Sequence, residues 1–104
     1  MPTLLFANNV ISTLPAELGS GVTSLTVATG DGALFPAPAV DEYFILTVTD
    51  NVAGTEEIMH CTDVTGDVLT VTRGEEGTSD IVLSADSQVA MHITAGLLEY
   101  LRDN

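Results

Sequence analysis

Residues 57–73, EIMHCTDVTGDVLTVTR, carry the clearest structural pattern in the chain. On each side of the central TGD triplet, at residues 65–67, apolar and polar residues alternate. Alternation with a period of two is typical of a β-strand that buries one face. Two such runs joined by a short glycine-containing loop predict a β-hairpin, in which residues 57–64 pair with residues 68–73.

Runs of the same kind lie on both sides of this hairpin. In residues 43–49, the side chains of Phe44, Leu46 and Val48 share one face, which predicts another strand. Weaker runs, separated by Gly, Asn, Asp and Pro turn signals, predict strands at residues 4–6, 10–14, 24–28, 81–83 and 88–93. The spacing indicates an all-β domain, a small antiparallel β-sandwich or barrel-like fold. Its core is expected to include Phe44, Leu46, Leu69 and Val71.

The end of the chain has a different pattern. Thr94 can cap a helix, and residues 95–101 place Leu97, Leu98 and Leu101 on one helical face. A helix this short is not stable alone, so it must dock on its own sheet or on a neighbouring subunit. We predict that the three leucines form an assembly interface, with a cap on the domain's own core as the alternative.

Together these patterns describe a single domain, residues 1–104, with a β part at 1–93 and a short C-terminal helix at 94–104. The length is about that of one domain. Hydrophobic residues make up 45% of the chain, which indicates a folded protein rather than a disordered acidic one.

The charge balance excludes two classes of partner. Asp and Glu number 15 against 2 Arg and no Lys, which gives a net charge of -13. Proteins bind nucleic acids and anionic membrane surfaces through Lys and Arg, so neither is an expected partner. The longest apolar stretch, residues 33–40, is much shorter than a membrane-spanning helix and contains two prolines.

No group of residues predicts a catalytic, cofactor or metal site. His60 and Cys61 are adjacent in a strand and point to opposite faces, so they cannot readily bind one ion. Cys61 is the only cysteine, which excludes an intramolecular disulfide. The carboxylates are scattered over predicted turns, where Asp satisfies local backbone groups. We therefore expect a partly buried His60, a core Cys61 and no enzyme.

Residues 72–78, TRGEEGT, are the most distinctive local segment. Arg73 is the only cation before the C-terminal segment, and an arginine can hold a carboxylate with two hydrogen bonds. We predict a clamp in which Arg73, with Glu75 and Glu76, orders this loop. A contact with a partner protein is the alternative role of Arg73.

Motifs along nearly the whole chain follow a recognisable order. They are LFANN (5–9), STL (12–14), TSLTV (23–27), GALFP (32–36), EYFILT (42–47), EIMH (57–60), LTVTRGEEGT (69–78) and TAG (94–96). In order and spacing they resemble a bacteriophage virion structural domain, the small β domain of the N-terminal attachment region of phage tail fibres or of short tail-associated proteins. Two features depart from the pattern. Residues 79–84 lack the usual aromatic, and residue 104 closely follows TAG, where a fibre would continue into a shaft and receptor-binding tip.

The resemblance implies a structural role. It implies a phage virion protein of the tail, at a baseplate, collar or fibre-adaptor position, that acts by protein–protein assembly without cofactors. Its partners would be other virion structural proteins and copies of itself in a three-fold or six-fold setting. It would be made in the cytoplasm of the host bacterium and reside in the phage particle. The host-recognition role of a complete fibre is not carried over.

Two other functions stay open at this point. A capsid decoration (cement) protein would stabilise the head rather than the tail. A glycan- or receptor-binding module would need exposed aromatic side chains, and the chain has only 2 Tyr, 3 Phe and no Trp.

Overall fold

The computed structural model describes residues 3–5, 7, 10–91 and 95–103. Its seven strands belong to one sheet that curls into a half-barrel, and a short helix follows them. The strands are β1 (Thr3–Leu5), β2 (Ile11–Thr13), β3 (Ser24–Thr26), β4 (Glu42–Asp50), β5 (Thr55–Thr65), β6 (Val68–Glu75) and β7 (Gln88–Ala90). The helix α1 spans Ala95–Asp103, and one 3₁₀ turn spans Asp31–Leu34. The all-β, barrel-like fold with a short C-terminal helix is therefore confirmed.

The predicted hairpin is present in the sheet. Strands β5 and β6 pair antiparallel, with Thr65 opposite Val68, so the turn consists of Gly66 and Asp67. Gly66 has a φ of 59°, a left-handed conformation that glycine adopts without strain. Strand β5 begins at Thr55, two residues earlier than predicted, because it also pairs with β4 along the other edge.

The order of strands across the sheet is β2-β7-β4-β5-β6-β3. Strand β1 lies off this path and pairs in parallel with the start of β4, whereas β7 pairs antiparallel with its end. A parallel pair needs a long connection, and the segment between β1 and β4 supplies one. The sheet is thus antiparallel, as predicted, except at β1.

The 3₁₀ turn is held against the tip of the hairpin. The carboxylate of Asp67 accepts hydrogen bonds from the backbone N–H of Gly30 (3.1 Å) and of Gly32 (3.0 Å). These bonds lower the pKa of Asp67. A β-carbon at Gly32 would collide with the carbonyl oxygen of Gly66, so only glycine fits there. Phe35 follows and stacks on Phe44, with ring centroids 5.8 Å apart.

One predicted strand is wrong. Residues 81–83 form no strand; Leu83 makes only an isolated bridge with Leu18. The reason lies at Ile81, whose N–H donates to the side chain of Glu57 and whose carbonyl accepts from Arg73. Because side chains use both backbone groups, they are not free to pair with a neighbouring strand. Strands β2, β3 and β7 are shorter than predicted, and residues 6 and 93 lie outside the described residues.

The core lies on one face of the sheet. The four residues predicted for it, Phe44, Leu46, Leu69 and Val71, are all buried, which confirms the predicted strand faces. Met59, Cys61, Leu25, Leu83 and Val89 are fully buried beside them. The opposite face of the hairpin carries His60 and Thr72, which are only partly covered or exposed.

Candidate functional site

A buried ion pair lies on the core face of the hairpin. Arg73 is in phase with Leu69 and Val71 on β6, and Glu57 is in phase with Met59 on β5. The side chains of Arg73 and Glu57 are 4% and 0% exposed. Two opposite charges therefore take places that alternation would give to apolar residues.

The geometry of this pair is bidentate. Nε of Arg73 donates to Oε2 of Glu57 at 2.7 Å, and Nη2 donates to Oε1 at 2.9 Å. Hydrogen bonding to Glu57 raises the pKa of Arg73 above its ordinary value. The pair therefore favours the charged form of the guanidinium.

The remaining donors of Arg73 hold two loops. Nη1 donates to the carbonyls of Gly19 (2.8 Å) and Val22 (2.7 Å), and Nη2 donates to that of Ile81 (2.6 Å). With the two bonds to Glu57, all five guanidinium N–H groups are used. Glu57 in turn accepts from the backbone N–H groups of Gly74 (2.8 Å) and Ile81 (3.1 Å). The pair is thus a clamp between the strands and both loops.

The carboxylate partners predicted for Arg73 in the clamp are corrected by the structure. Arg73 orders loops, as expected, but Glu57 takes the place assigned to Glu75 and Glu76. Gly74 has a φ of 62°, and the two carboxylates that follow it have other partners. Glu75 lies 3.8 Å from Nδ1 of His60, and Glu76 accepts a hydrogen bond from the N–H of Gly96 at 2.7 Å. The sequence contains a signal for this pairing that was missed. Glu57 alternates in step with Met59 and Cys61, and therefore falls on the same face of β5.

The other face of the hairpin carries a cleft of about 580 Å³. We call it the outer cleft. Its floor is formed by His60, Thr62 and Thr72 of the hairpin, and its walls by Tyr43 and Tyr100. Residues 39–41, which precede β4, and Glu42, the first residue of β4, complete the rim. Sequence reasoning missed this cleft because Tyr100 reaches it from α1, far along the chain.

The outer cleft is aromatic and acidic. The rings of Tyr43 and His60 have centroids 4.8 Å apart at an angle of 35°. The pKa of Tyr43 is raised, first by burial and then by the charges of Tyr100, Glu76 and Glu75. The phenol therefore lies in a field that disfavours a further negative charge.

Helix α1 lies beside this cleft, to which it contributes Tyr100, and exposes part of its predicted apolar face. The carboxylate of Glu76 accepts from Gly96 in the first helical turn, a favourable place for a negative charge. Leu98 and Leu101 are 58% and 51% exposed, so these two leucines do not cap the core. Thr94 and the side chain of Leu97 lie outside the described residues.

Cys61 and His60 point to opposite faces, as predicted. Cys61 is completely buried, and burial raises the pKa of its thiol to about 12. Within the described part of the chain, no three His, Cys, Asp or Glu side chains come together in a way that could hold a metal ion. None of the helical segments that the structure describes has the length and apolarity needed to cross a bilayer.

A scan of the sequence against protein-family models found no match, and a search of curated proteins found no significant match. The function must therefore be argued from the residues and geometry above.

Proposed function

We propose that the protein is a structural component of a bacteriophage particle, in the tail at a baseplate, collar or fibre-adaptor position. The motif series from LFANN at residues 5–9 to TAG at 94–96 supports this proposal by its resemblance to tail attachment domains. The structural observation that carries it is the exposed pair Leu98 and Leu101 on helix α1.

An exposed apolar pair on a helix suits assembly. Leu98 and Leu101 lie three residues apart, on the same side of α1. Taking the exposed halves of these side chains out of water would contribute about 2 kcal/mol. The buried clamp supports the same role, because it holds the loops of the free subunit in place before a neighbour binds.

The acidity of the chain sets the kind of contact it makes. A net charge of -13 keeps free subunits apart in solution. Copies of this chain would therefore meet in a three-fold or six-fold ring only where other virion proteins bring them together. The neighbour that does so would present a neutral or basic surface.

Fractionation of the particle tests the proposal. Heads and tails are purified separately and analysed by mass spectrometry, and cryo-microscopy of the intact particle locates the domain. We expect the chain in tails. Its presence in heads alone would favour a capsid decoration protein, and its absence from both fractions would contradict a virion role.

A further inference from the structure

We propose that the outer cleft, lined by Tyr43, Tyr100, His60, Thr62 and Thr72, binds a basic peptide segment of a neighbouring protein, with an Arg or Lys side chain entering it. The inference rests on the proposed assembly function, because it names the chemistry of the partner.

The cleft has the size and the fixed walls of a binding site. Its volume of about 580 Å³ lies within the usual range for ligand pockets. The rim before β4 is tied in place: Glu42 accepts from the N–H of Ala39 at 2.7 Å, and its own N–H donates to the carbonyl of Ala39 at 3.0 Å. The carbonyl of Asp41 accepts from the N–H of Thr3 at 2.6 Å, which joins this rim to β1. A ligand would meet a rim that is already ordered.

The walls suit a cationic side chain with an apolar stem. Tyr43 and Tyr100 supply aromatic surface, which attracts ammonium and guanidinium groups. Val40, which is 92% exposed, extends the apolar rim where the methylene groups of Arg or Lys can pack. The hydroxyls of Thr62 and Thr72 add hydrogen-bonding groups on the floor.

The charge of the cleft selects a cation. Asp41 and Glu42 lie on its rim, and Glu75 and Glu76 act on the phenol of Tyr43 from beside it. No Arg or Lys is among the lining residues, and Arg73 is buried on the other face with all five donors used. An anionic ligand would be repelled. A neutral sugar would gain little from these carboxylates, whereas a basic segment would be attracted by all of them.

The chain contains its own reporter for this test. It has 2 Tyr and no Trp, and both tyrosines line the cleft, so the intrinsic fluorescence of the full chain reports on this site alone. The protein is titrated with a short arginine-containing peptide, with the same peptide carrying glutamine, and with a neutral trisaccharide. We expect a saturable change with the arginine peptide that weakens as salt is added.

Matched variants assign the binding to the cleft. Asp41→Asn suits the φ of 65° at that position, because asparagine tolerates the left-handed conformation, and Glu42→Gln keeps an acceptor for Ala39. Each is expected to raise the Kd of the arginine peptide about two- to fivefold. Glu17→Gln removes the same charge from an exposed position that does not line the cleft, and should leave the Kd unchanged.

Several results would overturn the inference. They are no response to the arginine peptide, equal binding of the glutamine peptide, or an equal loss in Glu17→Gln, which would indicate general charge attraction. Salt-independent binding of the trisaccharide would identify a glycan site instead. Failure of the proposed function is a separate result, because it is the absence of the chain from purified particles, whatever the peptide titration shows.

Discussion

At the scale of single residues, Glu57 shows how this protein tolerates a charge in its core. A buried carboxylate is costly unless its oxygens are fully bonded. Here Arg73 and the N–H groups of Gly74 and Ile81 occupy them. Among the described residues, no buried side-chain nitrogen or oxygen lacks a hydrogen-bond partner.

Removing one member of the pair should therefore be severe. Arg73→Met leaves Glu57 buried without its counter-charge, and we expect a loss of about 3 to 5 kcal/mol in the free energy of unfolding, measured by urea denaturation. Arg102→Met, which removes an exposed arginine on α1, is the control and should change stability far less. Equal stability of the two variants would show that the clamp is dispensable.

Asp50 gives the domain a dependence on acid. Hydrogen bonds from the backbone of Ala53, Ser84 and Val52 hold the pKa of Asp50 at about 2, below its ordinary 3.8. A depressed pKa in the folded state means that the stabilising effect is present above about pH 4 and lost as the pH falls toward 2. Between pH 4 and pH 2, the melting temperature should therefore fall less for Asp50→Asn than for the parent. A variant with the full acid dependence of the parent would assign that dependence to other groups.

At the scale of elements, the buried face of the β5–β6 hairpin contributes to the stability of the sheet. Leu69 is fully buried and its neighbour Val68 is 40% exposed on the opposite face of β6. Leu69→Ala should cost about 2 to 5 kcal/mol. Leu46→Ala, on β4, should cost a similar amount.

The matched control is Val68→Ala in the same strand. It shortens a partly exposed side chain and should change the free energy of unfolding by only about 0.5 kcal/mol. Thermal or urea denaturation measures all three variants. If Leu69→Ala and Val68→Ala were equally stable, the observed strand faces would be contradicted.

Helix α1 is the element to which we assign assembly. Leu98→Gln with Leu101→Gln keeps good helix formers and removes the apolar pair. The melting temperature should stay near that of the parent, while incorporation into particles is lost. Val52→Gln, at a residue 85% exposed on the turn between β4 and β5, is the control and should incorporate normally.

Deleting the chain from Leu97 onward extends this test. The assembly role predicts a truncated domain that melts like the parent but does not join the particle. Unfolding of the truncated chain would instead support a helix that caps the core, and its normal incorporation would contradict the assembly role.

Local pattern predicted most elements but not their long-range partners. The alternation around Leu46 and Leu69 identified the strands and their buried faces, because every second side chain of a strand points to the same face. The parallel pairing of β1 could not be predicted, since it depends on where a long connection returns the chain. The predicted strand at residues 81–83 was wrong for a related reason, because the backbone groups of Ile81 bond to side chains distant in sequence. The outer cleft likewise depends on Tyr100 meeting Tyr43 in the folded chain.

At the scale of the whole molecule, the dominant feature is uncompensated negative charge. The net charge of -13 is spread over a domain with a radius of gyration of 12.7 Å. One of the two arginines, Arg73, is buried in the clamp. Repulsion among the surface carboxylates therefore opposes the compact state at low ionic strength.

Salt should therefore stabilise the folded chain. Raising NaCl from a few millimolar to about 0.5 M shortens the screening length to a few ångströms, and the melting temperature should rise. Calorimetry measures the melting temperature at each salt concentration. A melting temperature independent of salt would show that the carboxylates are too far apart to interact.

Alkylation of Cys61 can be used to measure how often the domain opens. The thiol is sealed inside the half-barrel and stays protonated at neutral pH, so an alkylating reagent reacts with it only when the sheet comes apart. Because the chain has 1 Cys, each modified molecule records one such event. The rate of alkylation then reports the equilibrium between the closed and the opened domain, whatever the surroundings of the protein. Stability can be followed in this way inside an assembled particle, where neither melting curves nor denaturants report on a single component.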